Sequence, residues 1–263
     1  MTELVSLTAG GRALDIEYAW IGPRGGETIV FLHEGLGSVA MWRDYPRALC
    51  EAIGMRGLVF SRPGYGASTP RRHGEKWPVD FMHAQARDVL PALFEALRVP
   101  PRPWLFGHSD GASIALLYAA AFPQAPAGVV AVAPHLFVED LSVRSIAAAK
   151  ATYETTDLRA RLAKYHGDVD SAFYGWNDVW LAPAFRDWNI EADTRNIRRP
   201  VLAVQGEDDE YGTMAQIDAL AAAAPQAKVL ALAHCGHSPH RDQPHALTRA
   251  VRDFLAAQAT AVK

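Results

Sequence analysis

The sequence predicts an α/β protein: a mostly parallel, eight-stranded sheet flanked by helices, with a helical insertion. Three observations predict it. Apolar runs of strand length recur along the chain, and the middle ones are continuously apolar rather than alternating, the pattern of strands buried on both faces. Helix-period segments fall between them, so strand and helix alternate as βαβ crossovers require. The alternation breaks once, between His135 and Asn196, where no strand-like run occurs.

Two strand-like runs, LVSLT (4–8) and ALDIEYAW (13–20), open the chain. TIVFLH (28–33) follows and runs into His33-Glu34-Gly35-Leu36-Gly37-Ser38, a glycine-bearing turn at a strand end. MWRDYPRALCEAI (41–53) has helical spacing, RGLVFS (56–61) is the next strand, and VDFMHAQARDVLPALFEALR (79–98) is again helical. PWLFGH (103–108) passes without a linker into the helical ASIALLYAAAF (112–122), and GVVAVA (128–133) follows as a strand. The insertion reads as the helices SVRSIAAAKATY, DLRARLAKYH and DVDSAFYGWNDVWL and a loop containing Pro183. PVLAVQ (200–205) and KVLALA (228–233) resume the sheet, with TMAQIDALAAAA (213–224) and HALTRAVRDFLAAQA (245–259) as helices. Their alanines suit that assignment, since alanine is the best helix former. The division is a core of residues 1–134 and 197–263 and a helical cap of residues 135–196 over one end of the sheet.

Hydrophobic residues make up 49% of the 263 and charged residues 21%, enough for a sizeable core. The net charge of −3, with both signs mixed along the chain, leaves no basic footprint for nucleic acid and no polybasic patch for a membrane. Cys50 and Cys235 are the only cysteines, which argues against a disulfide scaffold and fits a reducing compartment. The start, MTELVSLTAGG, lacks the basic and apolar regions of a signal peptide, and no apolar run approaches the roughly 20 residues that cross a bilayer. The expectation is a soluble cytoplasmic protein, monomer or homodimer, that acts on a small molecule without cofactor, metal, nucleic acid or membrane.

The chemistry concentrates at Gly107-His108-Ser109-Asp110-Gly111. A strand that turns at once into a helix forces the turning residue into a strained conformation. Side chains two positions before and after it would meet neighbouring backbone, hence the two glycines. This is the G-x-S-x-G pattern of a nucleophile elbow, and it falls on the strand-to-helix junction that its mechanism requires. A serine hydroxyl needs a base, and the base an orienting acid. The loop Gly206-Glu207-Asp208-Asp209-Glu210-Tyr211-Gly212 supplies the acid. Four adjacent carboxylates cannot all be buried; Asp209 is favoured, Asp208 second. The loop His234-Cys235-Gly236-His237-Ser238-Pro239-His240 supplies the base. Its histidines and cysteine could form a metal cluster, but no partner cluster stands elsewhere in the sequence. Gly236 frees the backbone beside His237, the favoured base, and leaves His234 and His240 as flanking or surface residues. Oxyanion donors are expected from the N–H of Asp110 and from that of Gly35 or Leu36.

With these motifs in their order, the chain resembles the α/β-hydrolase superfamily, as a serine carboxylesterase-like member with a helical cap. The resemblance rests on GHSDG, HEGLGS, SRPGYGAS, GEDDEYG and CGHSPHRDQP and covers nearly the whole chain. It implies Asp209 as acid, three residues after a glycine, and His237, following a glycine, as base. It differs at His33-Glu34, where the family often has His-Gly, and at Ser61, where it often has Asp. A carboxylate at Glu34 would repel an oxyanion unless paired or turned away. The turn Arg62-Pro63-Gly64-Tyr65-Gly66 is expected to shape the pocket floor and to carry no chemistry.

Serine at the elbow argues against the dehalogenases and epoxide hydrolases of this fold, which use aspartate. The implied activity is hydrolysis of a small carboxylic ester or thioester. The alternatives are a C–C bond hydrolase of aromatic ring-cleavage products, which usually has other residues beside the serine and the histidine, and a non-catalytic ligand-binding member. Activity is expected to fall as pH drops through roughly 6 to 7, where the base gains a proton. Glu34, His108, Trp176 and Trp180 are candidates for substrate contact. The cap aromatics Tyr153, Tyr165, Phe173, Tyr174, Trp176, Trp180, Phe185 and Trp188 are expected mainly to pack the cap onto the core, and some to line an apolar pocket for an aryl or medium acyl group.

Overall fold

A computed structural model of the chain describes residues 2–261. In chain order, the sheet strands are β1 (Glu3–Ala9), β2 (Arg12–Ile21), β3 (Thr28–Leu32), β4 (Arg56–Phe60), β5 (Trp104–His108), β6 (Gly128–Val132), β7 (Val201–Gly206) and β8 (Ala227–Leu232). They form one sheet in the order β1-β2-β4-β3-β5-β6-β7-β8. The pairs β1–β2 and β2–β4 are antiparallel, and the rest are parallel. β3, β5, β6 and β7 are buried at every residue, which is why they read as unbroken apolar runs. KVLALA is different. β8 is an edge strand with Val229 43% exposed, so its apolar residues cover only one side.

The helices of the sheet layers are α1 (Tyr45–Ile53), α2 (Phe81–Ala84), α3 (Leu90–Ala96) and α4 (Asp110–Ala121) in the first half of the chain. A π turn over Gln85–Val89 joins α2 to α3. It lies just before Pro91, which has no N–H to give the α-helical ladder. The stretch between β6 and β7 carries α5 (Asp140–Thr155), α6 (Leu158–Leu162), α7 (Val169–Trp180) and α8 (Glu191–Thr194). Pro183 sits in a short 3-10 turn, and an isolated antiparallel bridge pairs Phe137 with Asn189. α9 (Ala215–Ala223), α10 (Pro239–Asp242) and α11 (Pro244–Ala261) complete the chain. No helix among the described residues is long and apolar enough to cross a membrane.

Two apolar layers sandwich the sheet. One, with Trp42, Leu49, Phe106, Val251 and Phe254, lies under α1 and α11. The other, with Leu90, Leu93, Leu116, Phe173, Trp180 and Phe185, runs from α3 and α4 into the segment between β6 and β7. α4 is buried along its whole length up to Ala120, and its first residue follows β5 directly after Ser109. The packing of both sheet faces therefore holds the turn at Ser109.

Candidate active site

Ser109 stands between β5 and α4 at φ 55° and ψ −124°, a region that non-glycine residues occupy only under tertiary constraint. A Cβ on Gly107 would overlap the carbonyl oxygen of Gly111, and one on Gly111 would overlap that of Leu32. Both glycines are required by close backbone approach. The Ser109 backbone is held by its N–H to Val132 O at 2.9 Å and by Ala112 N–H to its carbonyl at 2.8 Å.

Three loop tips meet above this turn. His237 Nε2 lies 2.9 Å from Ser109 Oγ, and His237 Nδ1 lies 2.9 Å from both carboxylate oxygens of Asp209. Of the four carboxylates after β7, only Asp209 turns inward. Its oxygens also accept from Tyr211 N–H at 2.7 Å, Gly212 N–H at 3.2 Å and Gln205 Nε2 at 2.7 Å. Burial pushes its carboxyl up, but the bonds from His237 and Tyr211 outweigh burial and hold it below the usual carboxylate range. The carboxylate can only accept, so His237 Nδ1 carries the donated hydrogen and Nε2 faces the hydroxyl as acceptor. Asp208 is exposed. α5 fastens this loop through Ser142 Oγ to Tyr211 O at 2.5 Å and Ser145 Oγ to Glu210 O at 2.6 Å.

A cavity of about 280 Å³ opens over Ser109. Ile146, Ala149, Leu158, Leu162, Trp176 and Trp180, all from the segment between β6 and β7, form an apolar wall. Glu34, His108 and Arg241 lie on its polar side. Glu34 Oε2 is 3.5 Å from His108 Nδ1, and Oε1 is 3.6 Å from Arg241 Nη2. Burial raises the Glu34 carboxyl, but His108 and the neighbouring histidines hold it well below the usual range. The carboxylate expected to trouble an oxyanion is therefore paired. Gly35, Leu36 and Asp110 line the cavity too. Of the insertion aromatics, Trp176 and Trp180 line it, while Tyr153, Phe173, Phe185 and Trp188 are buried in the apolar layer away from it.

Two sequence expectations need correction. None of residues 61–66 lines the cavity. The SRPGYG turn lies behind the Glu34 loop, with the Arg62 guanidinium only 1% exposed. Arg62 Nη2 donates to Glu34 O at 2.9 Å and stands 3.7 Å from Asp110 Oδ2, while Trp180 Nε1 donates to Asp110 Oδ1 at 3.2 Å. A charged residue in a polar-looking turn gives no sign that it will be swallowed. His240, expected to be flanking or exposed, is 3% exposed. Its ring packs against Trp42 at 4.9 Å and His108 at 4.7 Å, and it follows the buried Pro239 at the start of α10. His234 is exposed. No group of three or more His, Cys, Asp or Glu side chains among the described residues stands ready to hold a metal ion.

The buried histidines make a stability prediction. Burial pushes His240 down to about 2 and His135 to about 3. Below the unfolded value of about 6.5 the unfolded chain binds protons that the folded chain refuses. Stability should therefore fall as pH is lowered from about 6.5, by about 1.4 kcal/mol per pH unit for each such histidine. Neither ring nitrogen of His240 has a hydrogen-bond partner among the described residues. His240→Phe should thus change stability by less than about 1 kcal/mol at pH 7.5 and reduce the acid-side slope by about one proton. Urea midpoints at pH 7.5, 6 and 5 measure both, and an unaltered slope refutes the assignment.

A model of the alpha/beta hydrolase family matches residues 29–250. Solved structures share the fold along almost the whole chain. An esterase from Thermogutta terrifontis is 18% identical with a TM-score of 0.71, covering 98% of this chain and 99% of that one. An enol-lactonase from Burkholderia xenovorans LB400 is 20% identical with a TM-score of 0.72, covering 95% and 99%. A proline iminopeptidase from Mycobacterium smegmatis is 17% identical with a TM-score of 0.76, covering 99% and 100%.

Proposed function

The chain belongs to the alpha/beta hydrolase family, and from that premise we propose that it is a serine hydrolase that cleaves a small carboxylic ester or thioester through an acyl-enzyme. The observation that carries the reading is the chain of hydrogen bonds Ser109–His237–Asp209 at the base of a cavity with one apolar wall.

In this reading His237 Nε2 takes the Ser109 proton as Oγ attacks the carbonyl carbon. The carbonyl oxygen becomes an oxyanion, held by the N–H of Asp110, first in α4 and without an acceptor inside the helix, and by an N–H of the Gly35–Leu36 turn. The tetrahedral adduct collapses, and the C–O or C–S bond to the leaving group breaks as imidazolium returns the proton to it. Water, deprotonated by His237, then attacks the acyl-enzyme and releases acid and free serine. Asp209 keeps the imidazole in the productive tautomer and stabilises the imidazolium. The segment 135–196 acts as a cap whose aliphatic and tryptophan wall takes an aryl or medium acyl group. Two of the similar folds carry names from ester chemistry, an esterase and an enol-lactonase. The proposed setting is the cytoplasm, consistent with the two free, buried cysteines Cys50 and Cys235, and the proposed state is monomer or homodimer.

The test combines a fluorophosphonate with an ester panel. Labelling confined to Ser109, together with turnover of p-nitrophenyl hexanoate or phenyl esters faster than of the acetate, is the expected result. Labelling without turnover of any ester or thioester would instead mean a ligand-binding protein. A preference for acetyl esters of polar alcohols would remove the apolar acyl site.

A further inference from the structure

We infer that Arg62 is a positioning residue of the oxyanion hole: its buried guanidinium fixes the 34–35 peptide so that the Gly35 N–H faces the carbonyl under attack. This deepens the serine-hydrolase reading and rests on it.

Three donors converge on one carbonyl. Glu34 O accepts from Arg62 Nη2 at 2.9 Å and Gly37 N–H at 3.1 Å, and His33 Nδ1 reaches it at 2.7 Å. The peptide bonds are trans, and in a planar trans peptide the C=O and N–H point in opposite directions. Anchoring Glu34 O therefore aims the N–H of Gly35 the other way. Gly35 lines the cavity and Arg62 does not, so that direction is toward the cavity. Leu36 O is separately held by His166 Nε2 at 3.1 Å, and the N–H of that peptide, Gly37's, is used on Glu34 O. Among the turn's amides, Gly35 is thus the one aligned from behind. A full positive charge on the carbonyl side also polarises the peptide and makes its N–H a better donor.

Arg62 is itself tightly specified. Its own N–H donates to His33 Nε2 at 2.9 Å, Nη1 donates to Gln85 Oε1 at 3.1 Å, and its guanidinium carbon lies 4.7 Å from the centre of the Tyr65 ring. The planar fork reaches the oxyanion loop and α2's π turn at once, which a lysine cannot do. The side chain also faces Asp110 Oδ2 at 3.7 Å, so a plain counter-ion role must be separated from positioning.

The experiment compares wild type, Arg62→Met, Asp110→Asn and the double variant, using a p-nitrophenyl ester and an arylboronic acid that forms an anionic tetrahedral adduct. Removing one oxyanion donor typically costs about 10²–10³ in kcat, so misaligning it should cost about 10- to 100-fold. Arg62→Met should lower kcat and boronate affinity by that common factor, with KM within about threefold. The double variant should stay as far below Asp110→Asn as Arg62→Met stays below wild type. If Arg62→Met does not fold by circular dichroism, Arg62→Lys keeps the charge and should still lose about tenfold in kcat. Recovery of the double variant to the Asp110→Asn rate would reduce Arg62 to a counter-ion and overturn the inference, as would unchanged kcat in Arg62→Met. An inactive, unlabelled wild type would instead overturn the hydrolase reading, and the inference with it.

Discussion

Ser109→Ala is expected to lower kcat toward an aryl ester by on the order of 10⁶, and His237→Ala by about as much. The two losses should not add: with the 2.9 Å contact between Nε2 and Oγ, either substitution alone dismantles the same unit, and the double variant should be no slower than the worse single one. Asp209→Asn should retain more, losing about 10⁴, because the amide keeps the packing but can present its NH₂ to Nδ1 and favour the wrong imidazole tautomer. The bonds from Tyr211 N–H and Gly212 N–H to Oδ1 survive when the NH₂ takes the place of Oδ2 and keep the 206–212 loop in place in that variant, so the loss should appear in kcat and leave folding intact. Steady-state kinetics per mole of folded protein measures all three, with the wild-type active-site concentration titrated by fluorophosphonate. Ser109→Ala retaining more than a hundredth of wild-type activity would refute the assignment of the nucleophile.

Gly111→Ala is expected to be strongly destabilising. The added Cβ overlaps the carbonyls of Leu32 and His33, which are backbone and cannot swing aside as a side-chain end could. β3 and α4 would have to separate, at a cost of about 3 kcal/mol or more. Because Leu32 and His33 lead into the Glu34–Gly35 turn, kcat should fall along with stability. Gly167→Ala is the matched control: its Cβ would approach only Gly66 O, at 3.5 Å, and the change should stay within about 0.5 kcal/mol. Urea unfolding of the two variants, with kcat from the same preparations, tests the contrast. Equal midpoints would mean that the elbow is not sterically locked.

The strands were legible because a buried parallel strand must be apolar on both faces, and the eight runs map one to one onto β1–β8. Their lateral order was not legible. β4 sits between β2 and β3, and no local pattern encodes which neighbour a strand takes. The elbow was visible because its glycines are required by backbone contact within a few residues. The candidate acid was narrowed to Asp209 over Asp208 by a family resemblance; in the structure the difference is that Gly206 lets β7 pass close under the Cys235 and Gly236 carbonyls, and the loop then folds so that, of its four carboxylates, Asp209 turns in. His240 and Arg62 were misplaced for the same reason in opposite settings: each looks hydrophilic in the one-dimensional chain, and each is buried by groups far away in sequence, Trp42 and His108 for one, Glu34, Gln85 and Asp110 for the other.

Local spacing therefore carried the class of fold, the position of the strained serine and the loops where an acid and a base could sit. Those follow from short-range sterics and from solvent exclusion of apolar runs, which act on neighbours along the chain. Which carboxylate faces the imidazole, which histidine is dry and what stands behind the Glu34–Gly35 turn depend on hydrogen bonds and burial between residues far apart in the chain, 129 positions in the case of His108 to His237 O. Such contacts exist only once the sheet has brought its strand ends together.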